Sequence, residues 1–250
     1  MKTRFALVAL VAACLLTPTA ALAQRPEAQR PERPEQTERP ERPERREAAI
    51  DGVKTRCLNQ IDRRQRALSA DKARLEKARF LTDAHQAALE AINNQTSSGL
   101  ARLADVIQGE DNVEELRAEC RQIVEGFRVF ALVRPRSRLV TASDRAIAAT
   151  TKLGGVADRI QAAIDQAKAE NRDTAAAEAS LATMRAAIAT AASDAGGVYE
   201  AVIHLTPADY NANNAVLDRP RGKVRSARDS LKQAIAAGRD ARQSLKASAT

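Results

Sequence analysis

Residues able to do acid, base, nucleophilic or metal chemistry are few in this chain and scattered. It carries two histidines, His85 and His204, and three cysteines, Cys14, Cys57 and Cys120. Neither histidine has a Cys, a second His or a carboxylate at metal-ligand spacing. No HExxH helix, Gly-x-Ser-x-Gly elbow or phosphate-binding glycine loop occurs. The carboxylates alternate with Arg and Lys as solvated-face charges, and none stands as an isolated pair among apolar neighbours that would raise its pKa. The expectation is a protein with no catalytic residue, no metal site and no cofactor. His85, near a helix start, is expected to sit half-buried at a bundle end.

The cysteines point to different chemistry. Cys57 and Cys120 fall early in the first and third of the helices derived below. Those helices run parallel in an up-down-up bundle, so the two thiols lie near the same end. In an oxidising compartment they are predicted to pair as a disulfide.

Charge is the other signal. The formal net charge is +8, and residues 48 to 250 carry +6 of it, 31 basic residues minus 25 acidic. Residues 110 to 125 hold six acids against Arg117 and Arg121, whereas residues 126 to 143 hold Arg128, Arg134, Arg136 and Arg138 with no acid. Near the C-terminus, Arg221, Arg225, Arg228, Lys232, Arg239, Arg242 and Lys246 follow an alternating spacing of three and four that only Ile235 interrupts. On a helix they line one edge for ~37 Å. Such a row reads in two ways. Its aliphatic stems can cover apolar neighbours while the heads pair with acids across an interface, or it can be a track for an extended anionic polymer.

These residues must be positioned by helices. The 250 residues are 44% hydrophobic and include 53 alanines, but only four Phe, two Tyr and no Trp. Alanine is the best helix former and a poor strand residue. Alternating three-and-four spacing marks six segments. Their seams run from Leu58 to Leu75, His85 to Val106, Val113 to Phe130, Ala146 to Ala167, Ala177 to Val202 and Tyr210 to Leu245. Thr82 and Thr206 are expected at helix starts, residues 108 to 112, with Gly109 and Asn112, make the turn between the second and third helices, and Asn171-Arg172-Asp173 makes another. The fold class is therefore all-α, six long helices as two tandem up-down-up three-helix bundles, residues 48–134 and 135–250, elongated. Only Arg134-Pro135-Arg136 is expected to separate the third helix from the fourth. Pro220 is expected to kink the sixth, and the pairs Gly154-Gly155 and Gly196-Gly197 to let helices approach closely, with Gly196 ending the fifth helix early as the other reading.

Two segments precede the bundles. Lys2 and Arg4, the apolar run Phe5 to Leu16 and Ala21-Leu22-Ala23 have the form of a secretory signal, residues 1–23, cleaved after Ala23. The rival reading takes Val11-Ala12-Ala13-Cys14 as a lipobox with Cys14 lipidated. Residues 24–47 carry the triplet Arg-Pro-Glu five times, with seven Arg against seven Glu. That composition favours an extended, disordered, neutral spacer. No later segment approaches the ~20 apolar residues of a membrane span.

The least generic stretch is Leu205-Thr206-Pro207-Ala208-Asp209-Tyr210-Asn211-Ala212-Asn213. It resembles a stretch that recurs in uncharacterised exported all-helical proteins of bacteria, a likeness that implies an exported helical chain and no known activity. A looser resemblance is to the LTxxQ periplasmic chaperones, through Leu81-Thr82 and Leu205-Thr206. The position of the motif's Gln is taken by His85 and Asp209. Leu-Thr also serves as a hydrophobic staple with an N-cap. The expected function is a non-enzymatic exported scaffold or interaction protein of the cell envelope, its partner a protein or an anionic envelope polymer. The alternative is a periplasmic chaperone-like binder of unfolded or acidic partners. Nucleic acid is disfavoured by the export signal and by the scarcity of aromatic stacking residues.

Overall fold

A computed structural model describes residues 43–249, all of them within one compact unit, Arg42–Thr250. The signal segment, Cys14 and most of the Arg-Pro-Glu spacer lie outside the described residues. Those residues form helices and turns only. In chain order the helices are α1 (Pro43–Glu76), α2 (Asp83–Gly109), α3 (Val113–Glu125), α4 (Arg134–Ala169), α5 (Ala175–Gly196), α6 (Val198–Ile203), α7 (Pro207–Ala212) and α8 (Asp218–Ala247). A π-helical turn, Val129–Val133, leads into α4. Six helices have 13 residues or more, and α6 and α7 have six each. Proline at the fifth Arg-Pro-Glu triplet is the first residue of α1, where its missing N–H costs nothing, so helix begins inside the segment read as spacer.

The all-α class and its two three-helix groups are as the alternating spacing predicts. α1, α2 and α3 pack on a core that includes Ile61, Leu68, Leu100, Ile107, Leu116 and Ile123. The second half of α4, with α5 and α8, packs on another, where seven of the twelve buried residues are alanine. A third cluster joins the groups. Leu75, Leu89, Leu132, Val140, Val202 and Leu217, from both halves of the chain, share one apolar core.

Caps fall where side-chain chemistry places them. Thr82 Oγ1 accepts from His85 N–H at 3.2 Å, and Asn112 Oδ1 from Glu114 N–H at 2.9 Å. Thr206 and Asp209 form a reciprocal capping box at α7. Asn171 takes the left-handed conformation after α4, with φ of 54°, one that Asn tolerates better than most residues.

Several expected details are corrected. The third helix stops at Glu125, because Arg128 adopts φ of 42° and the π-turn follows. The α3–α4 break is therefore at Gly126–Arg128, and Pro135 stands harmlessly in the first turn of α4. That break also turns Phe130 outward, 40% exposed, and puts Val129 in the core instead. The sixth helix is two, with turn residues between Ala212 and Asp218, so Pro220 sits buried in the first turn of α8 and kinks nothing. Gly196-Gly197 ends α5, and neither Gly154-Gly155 nor Gly196-Gly197 has a neighbour within 4 Å of an added Cβ. The close approaches are at Gly99, where a Cβ would lie 2.5 Å from the Phe127 ring, and at Gly238, 2.8 Å from Met184 Sδ. The α1 seam runs one residue off the expected register in places. It buries Cys57, Arg64 and Asp71 where Leu58, Gln65 and Lys72 were expected. Asp71 is satisfied by Arg74 Nη1 at 3.0 Å and Asn93 Nδ2 at 3.4 Å.

Candidate basic groove on α8

α8 presents a heptad-like buried edge, Val224, Ala227, Ala234, Gly238, Ala241 and Leu245, to α4 and α5. One residue along from that edge stand the seven basic residues singled out by spacing, and all seven are exposed. Ile235, which interrupts the row, is 40% exposed. The row therefore lies on the solvent flank of the seam.

Its ion pairing is local. Arg221 Nη1 reaches Asp218 at 2.9 Å and Lys232 Nζ reaches Asp229 at 2.8 Å, each three residues back on the same helix. Asp229 is held below the ordinary carboxylate range chiefly by its hydrogen bond from Lys232, with the charges of Lys232 and Arg225 adding to it. Arg242 Nε donates to the Gly238 carbonyl at 3.2 Å, again within the helix. Among the described residues, no member of the row pairs with an acid on another helix. The α8 cation that does is Lys223, outside the row, which binds Asp194 of α5.

The structure divides the row. Arg221, Arg225 and Arg228 face Arg138 of α4 across a shallow groove of about 250 Å³, floored by Leu139, Ala142 and Val224. Four arginines thus line one groove, and among the described residues no carboxylate lines it. Lys232, Arg239, Arg242 and Lys246 continue along α8 and do not line this groove. No family model, curated protein or solved structure matches this chain. The groove is accordingly read from its chemistry alone. A guanidinium presents planar paired donors suited to carboxylate and phosphate oxygens, and a cluster of like charges raises the local concentration of anions.

Sequence reasoning missed Arg138 as a member of this group. Its signal in the sequence is the acid-free run from 126 to 143, which spacing alone does not assign to a face. It also missed a histidine–carboxylate pair. His85 Nδ1 donates to Asp144 Oδ2 at 2.8 Å, Thr82 N–H donates to the same oxygen at 3.1 Å, and the His85 ring stacks on Tyr199 at 3.7 Å between centroids. These contacts fasten the start of α2 to α4 and α6 and spend the imidazole on packing. Among the described residues no three His, Cys, Asp or Glu side chains gather to hold a metal ion.

Cys57 and Cys120 form the expected disulfide, Cα to Cα 5.6 Å, between α1 and α3. Tyr210 and Asn211, after Thr206, are likewise structural. Asn211 Nδ2 donates to the Glu125 carbonyl at 3.0 Å, its Oδ1 accepts from Arg128 Nε, and Arg128 lies over the Tyr210 ring at 5.5 Å. This hook ties α7 to the break after α3.

Proposed function

We propose that the protein is an exported, non-enzymatic interaction protein of the bacterial cell envelope that binds an anionic polymer at the groove between α4 and α8. The observation that carries this reading is one groove lined by Arg138, Arg221, Arg225 and Arg228 and, among the described residues, by no carboxylate. Export is supported by the signal-like segment before Gln24 and by the Cys57–Cys120 disulfide, which suits an oxidising compartment. The helical fold with an LTPADYNAN-like stretch agrees with the resemblance to exported helical proteins. No helix among the described residues is long and apolar enough to cross a membrane.

Polyphosphate and poly-glutamate serve as probes. If four arginines each displace a counterion from a flexible polyanion, the counterion-release slope of ~0.7 per charge weakens binding about fifty-fold between ~50 and ~200 mM salt. The triple substitution Arg138→Gln, Arg225→Gln, Arg228→Gln should abolish most binding and most of that salt slope, while helicity and melting stay nearly unchanged. Salt-independent binding that survives this variant would sink the reading. Suppression of the aggregation of an unfolded substrate, with no binding to either polyanion, would move the protein to the chaperone-like class.

A further inference from the structure

At the junction of the two helical groups lies a second cavity, distinct from the α4–α8 groove, of about 570 Å³. That is within the range of small-molecule sites, roughly 300–1,000 Å³. Its walls are mixed. Ile92, Phe127, Leu132 and Ile203 supply apolar surface, while Arg136, Arg102 and His204 supply polar groups, and among the described residues no Asp or Glu lines it.

Arg136 is the unusual member. It is 3% exposed, yet among the described residues no carboxylate pairs with it. One Nη donates to the Leu205 carbonyl, and Nε has no hydrogen-bond partner among the described residues. Burial lowers its pKa to about 10, so it still carries its charge at neutral pH. A buried guanidinium has five N–H donors to satisfy, and a buried charge ordinarily has a counterion. Here both demands are left open at the wall of a cavity. Leu205, whose carbonyl holds Arg136, begins the LTPADYNAN stretch, so the hook that fastens α7 also sets the position of this guanidinium.

We propose that this cavity binds a small organic carboxylate with an apolar body, its head paired with Arg136 and its body against Ile92, Leu132 and Ile203. A single buried guanidinium matches one planar, singly charged head, and the apolar wall beside it favours an acid with a hydrocarbon part over a bare inorganic anion. Arg102 is exposed and stands at the mouth, where it favours entry of an anion.

The test is calorimetric titration of the full chain with octanoate, octanol and inorganic phosphate. Octanoate should bind, octanol should bind about tenfold to a hundredfold more weakly for want of the charged hydrogen bond, and phosphate should give no comparable heat. Arg136→Gln should lose octanoate binding by a similar factor and Arg136→Lys should restore part of it, whereas Arg225→Gln with Arg228→Gln should leave it unchanged. Thr96→Phe, which fills the cavity without touching the charge, should also abolish it, and this variant decides the matter if Arg136→Gln does not fold. Failure of octanoate to bind, equal binding of octanol, binding that survives Thr96→Phe, or phosphate binding as tightly as octanoate would each overturn the proposal.

Discussion

Breaking the Cys57–Cys120 disulfide is the perturbation whose size follows most directly from the structure. The cysteines are 63 residues apart in sequence. In the chain-entropy model a closed loop of that length removes about 14 cal/mol/K from the unfolded ensemble, or about 4 kcal/mol at 25 °C. For a chain of this size each kcal/mol moves the melting midpoint by roughly 2–4 °C, so reduction should lower Tm by about 8–16 °C. Leu75, Leu132 and Leu217 belong to one core across the two helical groups, so loosening α1 from α3 should be felt by the whole unit. The assay is differential scanning calorimetry of the oxidised protein, the reduced protein and the Cys57→Ser, Cys120→Ser double variant. The two perturbed samples should agree. A fall of less than about 3 °C would refute the loop argument, as would finding both thiols free to react in denatured, unreduced protein.

Two further outcomes are expected. Leu132→Ala, at a fully buried position of the junction core, should cost about 3–5 kcal/mol, read as a lowered urea midpoint with an unchanged slope. Asp194 is held below its ordinary value by hydrogen bonds from Lys223 and Ser226. It therefore contributes stability above pH ~4 that is lost as the pH falls through the lowered value. Asp194→Asn should lower Tm at neutral pH and show a smaller further loss on acidification, and an acid limb identical to that of the parent would count against the pairing.

Much of this architecture was legible because helix periodicity and cap chemistry are local. The alanine seams of α5 and α8, the caps at Thr82 and Thr206, the turn at 108 to 112, and the disulfide, which follows from two parallel helices, all needed only spacing and turn lengths. The misplaced features depend on partners distant in sequence. Arg64 and Asp71 read as surface charges because spacing alone does not show that each also meets a distant partner. Asp71 accepts from Asn93 as well as from the nearby Arg74, and Arg64 lies over the Phe130 ring as well as donating to its local Gln60 carbonyl. The left-handed turn at Arg128 gives no signal in residue type, since arginine rarely adopts it. Its side chain is held there by Asn211, 83 positions away. In the basic groove, Arg221, Arg225 and Arg228 belong to the row that spacing marks, but Arg138 joins them only through tertiary packing. The same holds for the His85–Asp144 pair and for Arg136 at the junction cavity.

The alanine core of the second helical group has a consequence for how the chain can diverge. Of its twelve buried residues seven are alanine, whereas the cluster joining α1, α2 and α3 buries none. Leucine, isoleucine and valine can trade places in a core with modest repacking, but a buried alanine between closely set helices has almost nowhere to go: every residue except glycine and serine adds volume that the neighbouring backbones must accommodate. The two halves should therefore drift at unequal rates. The disulfide-closed half can exchange its apolar residues among themselves. In the α4–α5–α8 half, exchange is limited to the five larger core residues and to the exposed flanks, which is where the arginines and lysines of α8 stand.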